Sequence, residues 1–487
     1  DPTYGGRSSL GYLQNLPFVN RRAIGLLGHS MGAGMAYKVA LEEPGVDALV
    51  ITGFAYTLEA TATNPRNMLM IIGRWDEFRQ RMTGTRDILK EWMTTPQTRQ
   101  VIPYADARIG QTYGDFAQGS ARRVFVPNTI HIQESHSSEA IAETLEWMRQ
   151  ALNPPAKLWI KAASQIWQLK EWATLVAMLA GLTSLLPLGL LLLNTSFFAD
   201  LRGQPAATYA CSRGMFFKHA AINGLLMWLY LPLIFVLFGF HIYVIQIDKA
   251  FPMMLVNAIV WWFVWINIIG FFIFRRWYRK TAQPAGISLS DLGISFQSDR
   301  FALKAGAIGK TVLLAALLFG WAYGWEHLLE KYFIVDFRFI FPFASDLTAY
   351  RVHMFIIYFP YLLLGFLQFG IFLHGQLRPA PRATRLRTWL AWSTAKTLAL
   401  IIPLLLFMAI QYVPLFTTGF IPFVGPGGML VNFVINLFHI IGVLIIIVPI
   451  STWFFQLTGK IYLGALLSAA IVTWMFVSSQ VIAPIPV

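Results

Sequence analysis

Two different rhythms of apolar and polar residues divide the chain. Over the first 150 residues, short apolar runs at 23–27, 46–52, 68–72 and 123–126 show no helical period and read as buried strands. Stretches with helical spacing lie between and after them, at 33–41, 84–93 and 138–152. In the last of these, Ile141, Leu145, Trp147 and Met148 are the apolar positions. Residues 9–13 read as the end of a further helix. Strand and helix in alternation predict an α/β fold with a mostly parallel sheet. Past residue 157 the rhythm changes. Apolar runs of about 20 residues, long enough to cross a bilayer, occur near 172–193, 220–243, 251–274, 307–327, 352–373, 395–415, 428–450 and 461–481. These predict an all-α transmembrane domain of eight spans. Between the two parts, 157–171 interleaves Leu158, Trp159, Ile160, Ile166, Trp167 and Leu169 with lysines, as an interfacial or a connecting helix would. The aromatic stretch 332–343, broken by Asp336 and Arg338, reads as an interfacial loop. The expected domains are 1–153, a linker at 154–171, and 172–487.

Composition agrees with a chain that mostly meets lipid. Of 487 residues 56% are apolar and only 13% charged, against roughly 25% charged in average globular chains. Disorder, collagen and a disulfide scaffold are excluded, and the single Cys211 cannot form an intrachain disulfide. Net charge is +14, but residues 1–157 carry only +1 of it and the remainder +13. The excess sits in loops between apolar spans, so it reads as topology control and not as a nucleic-acid surface. Loops at 194–219, 275–306, 374–394 and 451–460 hold 14 Lys and Arg. The opposite set holds 4, or 7 with Lys157, Lys161 and Lys170. The first set is therefore expected in the cytoplasm, with the α/β domain and the C-terminus outside it. The chain opens at Asp1-Pro2 without an initiator Met or a signal peptide, which leads us to expect a preceding segment.

Candidate chemistry begins at Gly28-His29-Ser30-Met31-Gly32. A G-x-S-x-G match alone is weak, but this serine lies between a buried strand and a helix, as in a nucleophile elbow. Its glycines permit a sharp turn and close helix–strand packing, and the turn aims the helix N-terminus at the reacting centre. Asp76 and His131 then follow, each just past a strand, in the order Ser, Asp, His. The chemistry needs this trio: imidazole accepts the serine proton, and a carboxylate holds the imidazole and stabilises its charged form. Glu77 is an alternative acid and His136 an alternative base. His29 reads as a packing or substrate-facing residue, and Arg74, Arg79, Arg81 and Arg86 as a solvated basic face.

The segments GLLGHSMGAG, MLMIIGRWDEF and FVPNTIHI resemble the C-terminal half of an α/β-hydrolase over residues 1–152. The resemblance implies Ser30 as nucleophile, His131 as base, Asp76 as acid and the Met31 backbone N–H as one oxyanion donor. It also implies that the early strands of the sheet are missing, so that the N-terminal half of the domain counts among the expected partners. Only about fifteen residues, 53–67, separate the second and third strands, too few for the helical lid common in that family.

Within the spans, His241, Glu326, His327, His353, His439, Asn257, Asn267, Asn432, Asn436 and Lys396 are the polar candidates, most of them near span ends. Asn432, Asn436 and His439 share one helix face and read as interhelical contacts. No metal motif, P-loop or dinucleotide fingerprint is present, so no cofactor and no metal is expected. Expected partners are a small or lipid-like ester substrate and the bilayer, and no nucleic acid. The expectation is a membrane-bound serine hydrolase of a carboxylic ester. A transporter or assembly component with a non-catalytic hydrolase-like domain, and an acyltransferase using the same triad, are the alternatives.

Overall fold

In the computed structural model, residues 3, 5–244, 250–425 and 428–482 are described. Parts of the sequence expectations, namely the opening Asp1-Pro2, the loop residues 245–249 and 426–427, and the C-terminus at 483–487, lie outside them. Contacts divide the chain into two compact units, Asp1–Gln168 with Ile410–Val431, and Leu169–Ala409 with Asn432–Val487.

The first unit is built on a four-stranded parallel sheet in the order β1 (Gly25–His29), β2 (Ala48–Thr52), β3 (Met68–Ile71), β4 (Arg122–Phe125). Every residue of β2 and β3 is buried, as expected of continuous apolar runs in a sheet covered on both faces. Helix α1 (Gly6–Gln14) precedes the sheet, and α2 (Met31–Glu42) links β1 to β2. Helix α3 (Ser138–Leu152) starts at Ser137, whose side chain accepts from the Ala140 N–H. Such a cap satisfies one of the free donors at a helix start. Trp147 of α3 packs with Val50, Leu69, Ile71 and Ala140, and its indole N–H donates to the Asn67 carbonyl at 2.9 Å. One apolar anchor thus fixes the last helix against the two central strands. The expected helix at 84–93 is shorter, Ile88–Glu91, with further helical turns at Arg79–Thr83 and Pro96–Val101. Between β2 and β3 no helix forms.

Among the described residues, eight helices are long and apolar enough to cross a membrane. They are α4 (Trp167–Leu193), α5 (Arg213–His241), α6 (Met254–Ala282), α7 (Ala305–Phe333), α8 (Ala349–Gln376), α9 (Arg385–Thr418), α10 (Leu430–Thr458) and α11 (Tyr462–Ser479). Most of α11 is buried, from Leu463 to Ser478. Others keep large apolar side chains outward, such as Leu169, Trp172 and Val176 on α4. A helix apolar all round that still exposes such residues suits lipid. The stretch 332–343 is not simply a loop: Phe337–Phe339 (β5) and Phe341–Ala344 (β6) form an antiparallel hairpin. Its alternating aromatics already satisfied a strand period, which the two charges obscured.

Candidate active site

Strand β1 delivers Ser30 to the carboxyl end of the sheet, and α2 begins at the next residue. Ser30 adopts φ 52° and ψ −120°, a sparsely populated conformation for a non-glycine residue and of the kind that clusters at active sites. Its N–H donates to the Thr52 carbonyl at 2.8 Å, which ties the turn to β2. Gly28 is required by proximity: a Cβ there would lie 2.4 Å from the Gly32 carbonyl oxygen. The strand and helix could not close on each other around any larger residue.

Three side chains from three connections converge at this end of the sheet. His131 Nε2 lies 2.8 Å from Ser30 Oγ, and His131 Nδ1 lies 2.8 Å from Asp76 Oδ2. The second oxygen of Asp76 accepts the Phe78 N–H at 2.6 Å. The neighbouring Glu77 does not touch the imidazole. It accepts the His131 backbone N–H at 3.0 Å through Oε2 and the Tyr412 hydroxyl at 2.6 Å through Oε1. His136 stacks edge-on against Trp167 instead of reaching Ser30. His29 Nε2 meets the His131 carbonyl at 2.9 Å, a packing role that also sets the backbone behind the imidazole.

A second buried carboxyl, Glu134, completes the cluster and was not singled out from sequence. It accepts the Gly73 N–H at 2.5 Å and hydrogen-bonds Asp76. Two carboxyls in contact inside a protein share a proton, because like charges at that distance cannot both ionise. Burial, followed by the Asp76 charge, raises Glu134 well above the usual carboxylate range, which favours its neutral form. Burial also opposes ionisation of Asp76. His131, Glu134 and the Phe78 N–H outweigh it and carry Asp76 below its ordinary value. Burial disfavours a charged His131, yet the Asp76 charge and hydrogen bond raise its pKa. For His29, burial and the neighbouring His131 push the pKa down to about 4. Glu77 is raised by burial and by Asp76. The spacing of Glu134 three residues after His131, on one helical turn, was the only sequence signal for it. Tyr412, 335 residues from Glu77, offered none.

Arg79 departs from the expected solvated face. It is 2% exposed, and its guanidinium donates to the carbonyls of Asp76, Arg86 and Gly419. It fastens the loop that carries Asp76 and Glu77. His29, His131 and Glu134 bring possible metal-ligating atoms within 4.8 Å of one another. Both ring nitrogens of His131 are already engaged, which leaves that group one ligand short.

Residues 7–121 match the family model described as BAAT / Acyl-CoA thioester hydrolase C terminal. The first unit carries an α/β-hydrolase-like domain. The match spans Ser30 and Asp76, and His131 follows it on the connection after β4. No curated protein and no solved structure matches the chain. A hydroxyl–imidazole–carboxylate chain on this hydrolase-like domain has the polarity for moving a proton off the serine oxygen.

Proposed function

We propose that the chain is a membrane-bound serine hydrolase that cleaves a carboxylic ester or thioester through an acyl-enzyme on Ser30. The observation that carries this is the unbroken run of hydrogen bonds from Ser30 Oγ through His131 to Asp76, at 2.8 Å each. His131 Nε2 takes the hydroxyl proton as Ser30 Oγ attacks the substrate carbonyl, and Asp76 stabilises the imidazolium. The oxyanion that forms lies at the start of α2, where the Met31 N–H, at the first helical position, has no intrahelical acceptor. His131 then returns the proton to the departing alcohol or thiol. Water, deprotonated by the same nitrogen, releases the acid and restores Ser30. The family match over residues 7–121 favours a thioester among the candidate bonds. The eight long apolar helices support a membrane location, and the loop charges favour the cell membrane with the hydrolase-like domain outside the cytoplasm.

Fluorophosphonate labelling of the full chain in native membranes tests the reading. Wild type is expected to label and Ser30→Ala to show none. A folded wild type that fails to label would sink the enzyme reading. Eight spans exceed what anchoring requires, which supports a second reading: an alcohol of a lipid or glycan, in place of water, takes the acyl group. Labelling would be the same, and the acylated product, followed by mass spectrometry, separates the two.

A further inference from the structure

Helices α5, α6, α8, α10 and α11 line a common cavity. Its wall is mostly aromatic and aliphatic, with Trp262, Phe366 and Phe369 prominent, and among the described residues no Lys, Arg, Asp or Glu lines it. Leu362, Phe366, Val443 and Val472 at the back are buried, whereas Ile222 and Leu226 on α5 and Gly270 and Ile273 on α6 are half-buried. The cavity therefore opens sideways between α5 and α6, where an apolar chain would enter from a bilayer.

The polar groups along this wall are few and mostly unspent. Gln376 Nε2 donates to His219 Nδ1 at 3.3 Å, so the imidazole proton resides on Nε2. That Nε2–H has no partner, nor have Asn223 Nδ2, one turn further along α5, the Trp262 indole N–H on α6 and Gln368 Oε1 on α8. His219 is 4% exposed and Gln368 8%. Buried polar groups in native proteins are nearly always satisfied, and in lipid the cost of leaving them bare is higher still. Two donors from α5, the Trp262 indole N–H and one acceptor in an otherwise apolar, uncharged cavity define what would satisfy them. The donors fit a carbonyl and a hydroxyl oxygen, and the acceptor fits a hydroxyl proton. A phosphate or ammonium head would be buried without a counter-charge, which is unfavourable.

We propose that this cavity is a binding site for a single-chain neutral lipid whose head carries an ester carbonyl and free hydroxyls, of the monoacylglycerol class. The site stands independently of the hydrolase reading. The probe is a monoacylglycerol with a diazirine in its acyl chain, irradiated with the full-length chain in nanodiscs. Saturable labelling of α5 and α6 peptides is expected, suppressed roughly tenfold by excess unlabelled monooleoylglycerol. Lysophosphatidic acid with the same chain is expected not to compete. Gly270→Leu and Ile273→Trp fill the mouth from two positions, and either is expected to remove the saturable fraction while the protein elutes as wild type. His219→Phe with Asn223→Leu removes the donors and is expected to weaken competition by the neutral head. Ser30→Ala is expected to label as wild type does, which separates this site from the hydrolase-like domain. Unsaturable labelling, labelling unchanged in both well-folded filling variants, equal competition by lysophosphatidic acid, or loss of labelling in Ser30→Ala would each overturn the proposal.

Discussion

Glu134 and Asp76 are neighbouring buried carboxyls whose pKa values move in opposite directions on folding, and that arrangement has consequences for pH. Glu134 is raised on folding, so the stability it contributes is present below its unfolded pKa and lost as pH rises through the folded value. Asp76 is lowered, so its contribution is present above the unfolded value and lost as pH falls through the folded one. Glu134→Gln keeps a donor toward Asp76 and cannot ionise. Thermal melts of this variant are expected to lose the alkaline decline of wild type while keeping the acid one; an unchanged alkaline limb would show Glu134 ionised in the native state. In the proposed mechanism the free imidazole of His131 is the base, so the rate is expected to fall as pH drops through its raised pKa. Asp76→Asn is expected to lower turnover roughly ten-thousandfold, in line with triads elsewhere, read by hydrolysis of a chromogenic thioester. Ser30, Asp76 and His131 were legible because chain order and strand ends mark them. Asp76 has the more usual spacing from its strand end, and it is the carboxylate whose oxygen reaches His131 Nδ1, whereas Glu77 meets the His131 backbone N–H.

The elements around the site were mostly legible where a single period dominates. Strands β1 to β4 follow from short apolar runs, and α3 from its amphipathic spacing and Ser137 cap. Elements whose pattern is set by distant partners were not. The loop and short helix at 76–83 read as a basic surface, because an arginine buried by three carbonyls has the same sequence signature as a solvated one. The hairpin at 337–344 was hidden for a related reason, since Arg338 meets Asp336 and Glu171, and charges paired locally do not mark a loop. At the elbow, Gly28→Ala is expected to separate β1 from α2 because the added methyl meets backbone, which cannot yield as a side chain can. Fluorophosphonate labelling of that variant should fall at least as far as its melting temperature suggests, or further. The tail of α9 contributes through Tyr412. Tyr412→Phe removes the hydroxyl donor from a buried carboxyl and is expected to cost about 1–3 kcal/mol, measured as a lowered unfolding midpoint with labelling of Ser30 retained at low temperature.

At the scale of the whole chain, hydropathy alone located the eight long apolar helices found among the described residues, because length and apolarity are what a bilayer demands. The ends shifted by several residues, most at the start of α9, which begins at Arg385 against an expected 395; α4 begins at Trp167, inside the segment read as a linker. Orientation follows from charge and can be checked directly. In a Cys211→Ser background, Lys157→Cys is expected to react with a membrane-impermeant maleimide on intact cells, whereas a cysteine in place of Ser298 is expected to react only after lysis. The reverse pattern would invert the topology. The intramembrane polar residues prove more connected than their positions near span ends suggested. Lys396 is fully buried and lies 3.1 Å from His374, which in turn meets Ser451 at 3.0 Å. Snorkelling does not describe such a chain of groups. Its partners lie on three separate helices, which no single-helix pattern reveals.

The bond between Tyr412 and Glu77 joins residues 335 positions apart. Translation at about 5–20 residues per second puts roughly 20 to 70 s between the appearance of the carboxyl and that of its hydroxyl donor. During that interval the ribosome has to deliver the whole of α4 to α8 and much of α9. The loop that carries Asp76 therefore waits, incompletely supported, for the sixth span. A newly made chain halted before that helix would hold Ser30, Asp76 and His131 without the last support of their setting, so maturation of the site is tied to completion of the long apolar helices that come after it in the chain.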